Sequence, residues 1–356
     1  MAISSVRELA RSLGISHTTV SDALRNSPRV RKETRERVQR AAREAGYHYN
    51  PLAGALMSEM RRSGVGTFRG VLAVVDLESE AQRMEFSQRY HREIVAGCES
   101  AAETLGFKIE RFVLGRDHLS VARLGGILRS RGISGLIVLP AGASPDIAEL
   151  DWKHFAGLYT DYIIEHPPLD SVCSDHFRSM VLALQKLQEY GYQRPGLVLE
   201  DAHDRRLLYR WEAAFSMYQE HHDIFERISP LIVSDCTQPQ FTRWFKRHEP
   251  DVVLSHRHEI MNWMEEAGAK LPETHGFCCL NVLMSPRESA GLDLQPRLIG
   301  ARATEALVAQ LHRNEYGVPA TASTITIPAA WRDGPTIARR VRKGDRAAMT
   351  PAMAAC

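Results

Sequence analysis

The 356-residue chain has no uninterrupted apolar run near the ~18 residues that a membrane helix needs. No membrane partner is expected. The opening stretch MAISSVRELARSLG breaks its apolar residues with Arg and Glu at helical spacing. A secretory signal needs a continuous apolar core, so a cytoplasmic protein is expected. The cysteines Cys98, Cys173, Cys236, Cys278, Cys279 and Cys356 include no C-x-x-C pair with a second pair downstream. A disulfide framework suits a short secreted chain, so reduced, mostly buried thiols are expected. Catalytic signatures are missing too: there is no G-x-x-x-x-G-K-[ST], no G-x-S-x-G and no H-E-x-x-H. Gly64–Gly70 has the wrong spacing for a dinucleotide loop and precedes the first strand instead of following it. The runs His256-Arg257-His258-Glu259 and His221-His222-Asp223 read as polar loops. No catalytic residue, metal or cofactor is expected, and the chain does not read as an enzyme.

A net charge of one sign is also lacking, since 45 Lys and Arg face 43 Asp and Glu. The balance is uneven along the chain, however. Residues 1–62 carry twelve basic and six acidic side chains, a net of +6, and the other 294 carry a net of −4. Such asymmetry suggests that the N-terminal end meets a polyanion. A hydrophobic content of 44% with 25% charged residues is ordinary for globular chains and excludes disordered and collagen-like classes. At roughly 100–200 residues per domain, the length allows two or three domains.

The basic segment reads as three short helices. Ser5 and Glu8 fit a capping box, and Val6, Leu9, Ala10 and Leu13 follow at helical spacing. Gly14 ends that helix. Ser16 caps a second helix, about His17 to Leu24, with Val20, Ala23 and Leu24 inward. A third covers about Lys32–Ala45, with Val38, Ala41, Ala42 and Ala45 inward, and Gly46 stops it. Helix, glycine turn, helix within residues 5–24 is helix-turn-helix geometry, which points to DNA. His17, Thr18 and Asp22 are the candidate base readers, and Ser5, Ser16, Thr19 and Ser21 the candidate phosphate donors. Beyond residue 68, apolar runs such as Val71–Val75, Gly135–Leu139, Pro195–Leu199, Asp251–Leu254 and Phe277–Leu280 alternate with helical stretches. The stretches include Arg89–Leu105, Arg178–Tyr190, Leu207–His221 and Ile299–Arg313. Alternation of this kind implies parallel sheets covered by helices, and its length implies two α/β subdomains.

The run Ile3–Pro51 resembles the headpiece of LacI/GalR-type transcription regulators. The resembling elements are V-x-x-L-A, G-I-S, T-V-S, V-x-x-x-T-R-x-x-V and G-Y-x-x-N-P, the last containing Tyr47 and Asn50. Weaker resemblance continues to about Arg339 through Leu187–Gly191 with Tyr192, Leu271-Pro272, and Leu298-Ile299-Gly300 with Ala303. The resemblance implies a multidomain fold: a small all-α helix-turn-helix headpiece, then an α/β periplasmic-binding-protein-like core of two doubly wound parallel-sheet subdomains. The headpiece would span 1–49 and a hinge helix 50–62. The core would span 68–340, with one subdomain at 68–192 plus 289–318 and the other at 193–288 plus 319–340. A flexible tail would cover 341–356. In the family, paired hinge helices lie over the operator's minor groove and a leucine wedges into the central step. Counted from Asn50-Pro51, that leucine matches Leu56, with Ala53 on the pairing face. The family often has Arg where this chain has Asp22. Either Asp22 accepts from a base such as cytosine at an unusual half-site, or it points away and Arg25 takes over.

The resemblance also implies a ligand cleft between the subdomains, with a carbohydrate as the usual effector. Asp175 matches a family position near the cleft, accompanied by His176 and Arg178. An R-x-x-G-F-like element is nearest to Arg210-Trp211-Glu212-Ala213-Ala214-Phe215, where strict spacing puts Trp211 in the arginine's place. Asn281 stands where the family often has Asp. The implied partners are double-stranded operator DNA, a small-molecule effector and a second copy of the chain. The tail has no leucine heptad, so a dimer is expected. Two other classes fit the sequence less well. A solute-binding protein would have no use for the headpiece, and an enzyme with a regulatory headpiece would need a nucleophile or phosphate motif that is missing.

Overall fold

The computed structural model describes residues 6–24, 30–45, 68–78, 85–141, 147–162 and 166–340. The N-terminal unit is made of α1 (Val6–Leu13), α2 (His17–Leu24) and α3 (Lys32–Glu44). Gly14, at φ 66°, makes the turn after α1, a conformation that costs glycine nothing. The Ser16 hydroxyl accepts from the Thr19 amide at 3.1 Å and so caps α2. Leu9 of α1 and Val20 of α2 are fully buried against Ala10, Ala23, Val38 and Ala42. Arg37 donates to the Leu13 carbonyl at 3.0 Å and Gln39 to the Ala23 carbonyl at 3.3 Å, which ties α3 to the ends of both other helices. The basic side chains therefore ride on a small packed core and not on a loose tail.

The larger unit contains strands β1 (Gly70–Asp76), β2 (Phe107–Val113), β3 (Gly135–Val138), β4 (Ala156–Tyr159), β5 (Asp170–Ser174), β6 (Pro195–Glu200), β7 (Leu231–Val233), β8 (Val252–Ser255), β9 (Gly276–Cys279), β10 (Gly291–Asp293), β11 (Thr324–Ile327) and β12 (Ala330–Arg332). Its helices are α4 (Glu85–Thr104), α5 (Val121–Ser130), α6 (His176–Glu189), α7 (Asp201–Arg205), α8 (Arg210–His221), α9 (Gln238–His248), α10 (Glu259–Glu266) and α11 (Pro296–Arg313). The strands form two sheets. The first has the order β11-β5-β4-β3-β1-β2 and is parallel throughout. The second has the order β12-β10-β9-β8-β6-β7 and is parallel except for β12 on β10. Central strands such as β3, β8 and β9 are buried along their whole length, which is why they appear in the sequence as short continuous apolar runs.

The chain passes between the sheets three times, but not at the expected places. The first passage follows β5 at Asp175 instead of residue 192. Helix α6 buries Met180, Ala183, Leu184 and Leu187 against Trp211 and Phe215 of α8, on the second sheet. Strand β10 pairs with β9 in the second sheet, and the chain then returns so that α11 covers the first sheet. Strand β11 pairs with β5 in the first sheet, and only β12 goes back to the second. The assignments of 176–192 and 289–294 to the first subdomain, and of 319–328 to the second, are corrected accordingly. A helix following a strand need not cover that strand's sheet when its apolar face fits better across the crossing.

Helices α4 and α11 pack backbone to backbone. A β-carbon on Gly300 would fall on the Ile94 carbonyl oxygen, and one on Gly97 on the Arg297 carbonyl oxygen. Around this crossing Ile94, Cys98, Ile299 and Ala303 are fully buried. Gly126, by contrast, lies on the exposed side of α5 with nothing near its missing β-carbon. Gly300→Ala is expected to lower stability by ~1–3 kcal/mol or more, as overpacking does. Gly126→Ala is expected to raise it by roughly 0.5–1 kcal/mol through helix propensity. Chemical denaturation of both variants beside the wild type checks the pair, and shifts of equal sign would contradict the crossing as described.

Candidate functional site

The carboxyl ends of the parallel strands of both sheets face a common cleft, the usual ligand location for such sheets. A cavity of about 120 Å³ lies there. The first subdomain contributes Tyr90 and His91 from α4, Asp161 after β4 and Ser174 at the end of β5. The second contributes His176 from α6, His203 and Arg206 around α7, Trp211 from α8, His256 after β8 and Asn281 after β9.

The segment between α7 and α8 is held in a costly shape. Leu208 and Tyr209 are both left-handed, at φ 57° and 56°, a conformation that costs about 1–3 kcal/mol per non-glycine residue. Asp204, fully buried, offsets this cost. Its carboxylate accepts from the amides of Trp211 at 3.1 Å and Glu212 at 3.0 Å, and its carbonyl accepts from those of Leu207 and Tyr209. The turn thereby fixes Arg206 on one side and Trp211 on the other at the cavity wall.

Two contacts bridge the subdomains here. Arg206 donates to Asp161 at 2.7 Å, and the second oxygen of Asp161 accepts from the Tyr162 amide at 2.7 Å. Burial pushes the Asp161 carboxyl up, with Arg206 opposing. Arg210 lies over the Tyr162 ring, 4.2 Å from its centre. On the second subdomain, the rings of His203 and His256 stack at 4.0 Å and 19°, while His176 meets Trp211 edge-on at 4.9 Å. Burial pushes all three histidines down, His176 to about 3 and His203 to about 4. Four buried atoms of these lining residues have no hydrogen-bond partner: His176 Nδ1, His256 Nδ1, Arg206 Nε and Asn281 Oδ1. An unpaired buried polar group costs about 1–3 kcal/mol, and all four belong to residues that line this cavity, a concentration of unmet polar groups beside one space.

Of the residues singled out from sequence, His176, Trp211 and Asn281 line the cavity, and Asp175, Arg178 and Arg210 do not. Asp175 is consumed as the cap of α6, accepting from the Arg178 amide at 2.9 Å and from Thr326 Oγ1 at 3.1 Å. Arg178 is exposed and Arg210 is taken up by Tyr162. Sequence reasoning missed His91, Asp161, His203, Arg206 and His256. His256 directly follows β8 and Asp161 directly follows β4, so the strand-end rule finds both once the strands are known. The run of β4, Ala-Gly-Leu-Tyr, has no β-branched residue to mark it as a strand.

In the N-terminal helical unit, Ser16 and Thr19 bond each other at 2.8 Å as part of the α2 cap, and Asp22 is half-buried. His17, Thr18 and Ser21 lie on α2. Ser5, Arg25, Tyr47, Asn50, Ala53 and Leu56 lie outside the described residues, as does the whole hinge segment 50–62. Cys98, Cys173, Cys236, Cys278 and Cys279 are free and buried. Among the described residues no group of three His, Cys, Asp or Glu side chains is placed to hold a metal, and no helix is long and apolar enough to cross a membrane.

Residues 5–50 match the family described as bacterial regulatory proteins, lacI family. The match covers the three-helix headpiece and stops before the α/β core. Two curated relatives are similar to the chain. The maltose regulon regulatory protein MalI of Escherichia coli (strain K12) is 25% identical over 191 residues, 53% of this chain and 52% of that protein. The HTH-type transcriptional regulator CelR of Thermobifida fusca is 34% identical over 128 residues, 35% of this chain and 34% of that protein. The match therefore spans about half the length of MalI and a third of that of CelR. Among solved structures, a transcriptional regulator CelR–cellobiose complex aligns over 93% of this chain and 99% of its own, at TM-score 0.53 and 18% identity. The lac repressor dimer bound to operator and the anti-inducer ONPF aligns over 94% and 99%, at TM-score 0.50 and 17% identity. The lacI-type headpiece is thus followed by a core with the fold of solved regulators of that type: two mostly parallel α/β sheets in a periplasmic-binding-protein-like arrangement.

His176 is only 7% exposed, so its protonation is coupled to folding. The unfolded chain protonates this ring near pH 6.5 and the folded chain only near 3. Between those values the unfolded state binds more protons, and stability falls as pH drops, by up to ~1.4 kcal/mol per pH unit for this ring. Denaturation of wild type and His176→Gln at pH 7, 6 and 5 should show the shallower slope in the variant. Identical slopes would remove His176 from the acid sensitivity.

Proposed function

We propose that the protein is a sequence-specific transcription regulator, a repressor that binds a pseudo-palindromic operator as a homodimer and responds to a small carbohydrate-type effector in the cleft. The observation that carries this reading is the packed helix-turn-helix of α1 and α2, matched over residues 5–50, with α3 adding Lys32, Arg35, Arg37, Arg40 and Arg43. Each α2 would lie in a major-groove half-site, with His17, Thr18 and Asp22 toward base edges and Ser5, Ser16, Thr19 and Ser21 toward phosphates. Arg25, Tyr47 and the hinge segment, with Asn50, Ala53 and the wedge Leu56, would complete the interface over the minor groove. Such a protein acts in the cytoplasm.

The cleft supports the effector half of the reading. His176, Trp211 and Asn281 meet there with unpaired polar atoms, and Trp211 offers a flat apolar face of the kind that stacks on a sugar ring. Two relatives carry sugar-related names, a maltose regulon regulator and a CelR–cellobiose complex. Domain closure across the Asp161–Arg206 bridge would couple effector to DNA, and linkage requires each to alter the other's affinity by the same factor.

With ~6–10 phosphate contacts per dimer, operator affinity should fall by ~10³–10⁵ between 50 and 200 mM salt. Fluorescence anisotropy on a selected operator measures this, and a flat salt profile would sink the DNA reading. Operator selection with wild type and Asp22→Arg tests the base-reading role: a changed consensus, with guanine replacing the wild-type base at one position of each half-site, is expected, and an unchanged consensus would assign that readout to Arg25 instead.

A further inference from the structure

We propose that the cleft ligand is a sugar-sized molecule bound through an anionic group, a carboxylate or a phosphate, which Arg206 and the His176–His203–His256 cluster receive. The inference rests on the regulator reading only in taking the cleft as the effector site.

The cavity is poor in free carboxylates. Among its described lining residues Asp161 is the one carboxylate, and both its oxygens are taken, by the Tyr162 amide and by Arg206. Beside it stand Arg206 and four histidines, of which burial keeps His176, His203 and His256 uncharged at neutral pH. The fourth, His91, has Nδ1 at 2.7 Å from the Ser87 carbonyl and Nε2 at 2.7 Å from the Pro140 carbonyl.

Arg206 Nε is unpaired and can only donate, while Nη2 of the same guanidinium holds Asp161. His176 and His256 each have one buried, unpaired Nδ1 that donates in one neutral tautomer and accepts in the other. Asn281 Oδ1 is the single unpaired atom in the set that can only accept. A neutral sugar presents many hydroxyl donors and is held by carboxylates that accept from them. Asp175, which caps α6, has its oxygens spent on the Arg178 amide and Thr326. A site that offers the Arg206 guanidinium and ring N–H donors but no free carboxylate suits a ligand that brings its own negative charge. Trp211, edge-on to His176, remains to pack an apolar ring face.

The test is isothermal titration of the full-length protein with matched probes: glucose, gluconate, glucuronate and glucose 6-phosphate, followed by galactose, galacturonate and galactose 6-phosphate. The expected result is at least tenfold tighter binding of an acid or phosphate than of its neutral parent. The carboxylate and phosphate arms identify which anion the site takes. Arg206→Gln should lose at least tenfold for that anion while shifting the neutral parent by less than threefold, and His203→Asn, which leaves Arg206 in place, should lose affinity for the same probe. Equal or tighter binding of the neutral parents, no binding by any anion, or unchanged anion affinity in both variants overturns the proposal. Operator binding by the effector-free protein is measured in parallel. Failure of the anions with operator binding intact removes this inference alone, whereas failure of operator binding removes the regulator reading.

Discussion

Three passages of the backbone between two sheets constrain everything else in the core. Because the strands on both sides are parallel and the passages lie beside the cleft, both subdomains turn the carboxyl ends of their strands toward the same space. Residues far apart in the chain, such as His91, Asp161, Arg206 and His256, become neighbours only through this arrangement. The same passages allow the subdomains to move against each other about a few segments, since each keeps its own apolar core. A molecule that must report cleft occupancy at a distance needs both properties, a shared site and independently packed halves.

The two ends of the chain use electrostatics in opposite ways. At the headpiece, exposed basic side chains on a small core would serve long-range attraction to a polyanion, weakened by salt and indifferent to detail. In the cleft the charges are partly withdrawn from water and have specific partners: Asp161 has Arg206 and the Tyr162 amide, and Arg210 has the Tyr162 ring. Burial makes every unmatched atom expensive there, so the unpaired ones are informative in a way that no surface lysine can be.

Much of this was legible before any coordinates. The headpiece helices were readable because capping, a glycine stop and the 3.6-residue stripe agree over residues 5–45, and Leu9, Val20 and Val38 sit inward as that stripe requires. The central strands were readable as apolar runs. Strands β7, β10 and β12 were not, since three residues carry no period, and neither was β4, whose Ala-Gly-Leu-Tyr has no β-branched residue. The chain crossings were displaced because a helix's allegiance depends on which sheet its apolar face meets, a tertiary matter. The cleft was partly visible: pattern matching reached His176, Trp211 and Asn281, whereas Asp175 was misjudged because a helix cap and a ligand contact ask for the same residue type. Arg206 and His203 were hidden in the polar run Asp201–Arg206, where only the fold separates the side chains facing solvent from those facing the cavity.

The guanidinium of Arg206 that joins the two subdomains through Asp161 also has an unpaired Nε and lines the cavity. A group bound to it would share one side chain with Asp161. Occupancy of the cavity and the fastening of the two halves would then draw on the same guanidinium, so that neither could change without the other.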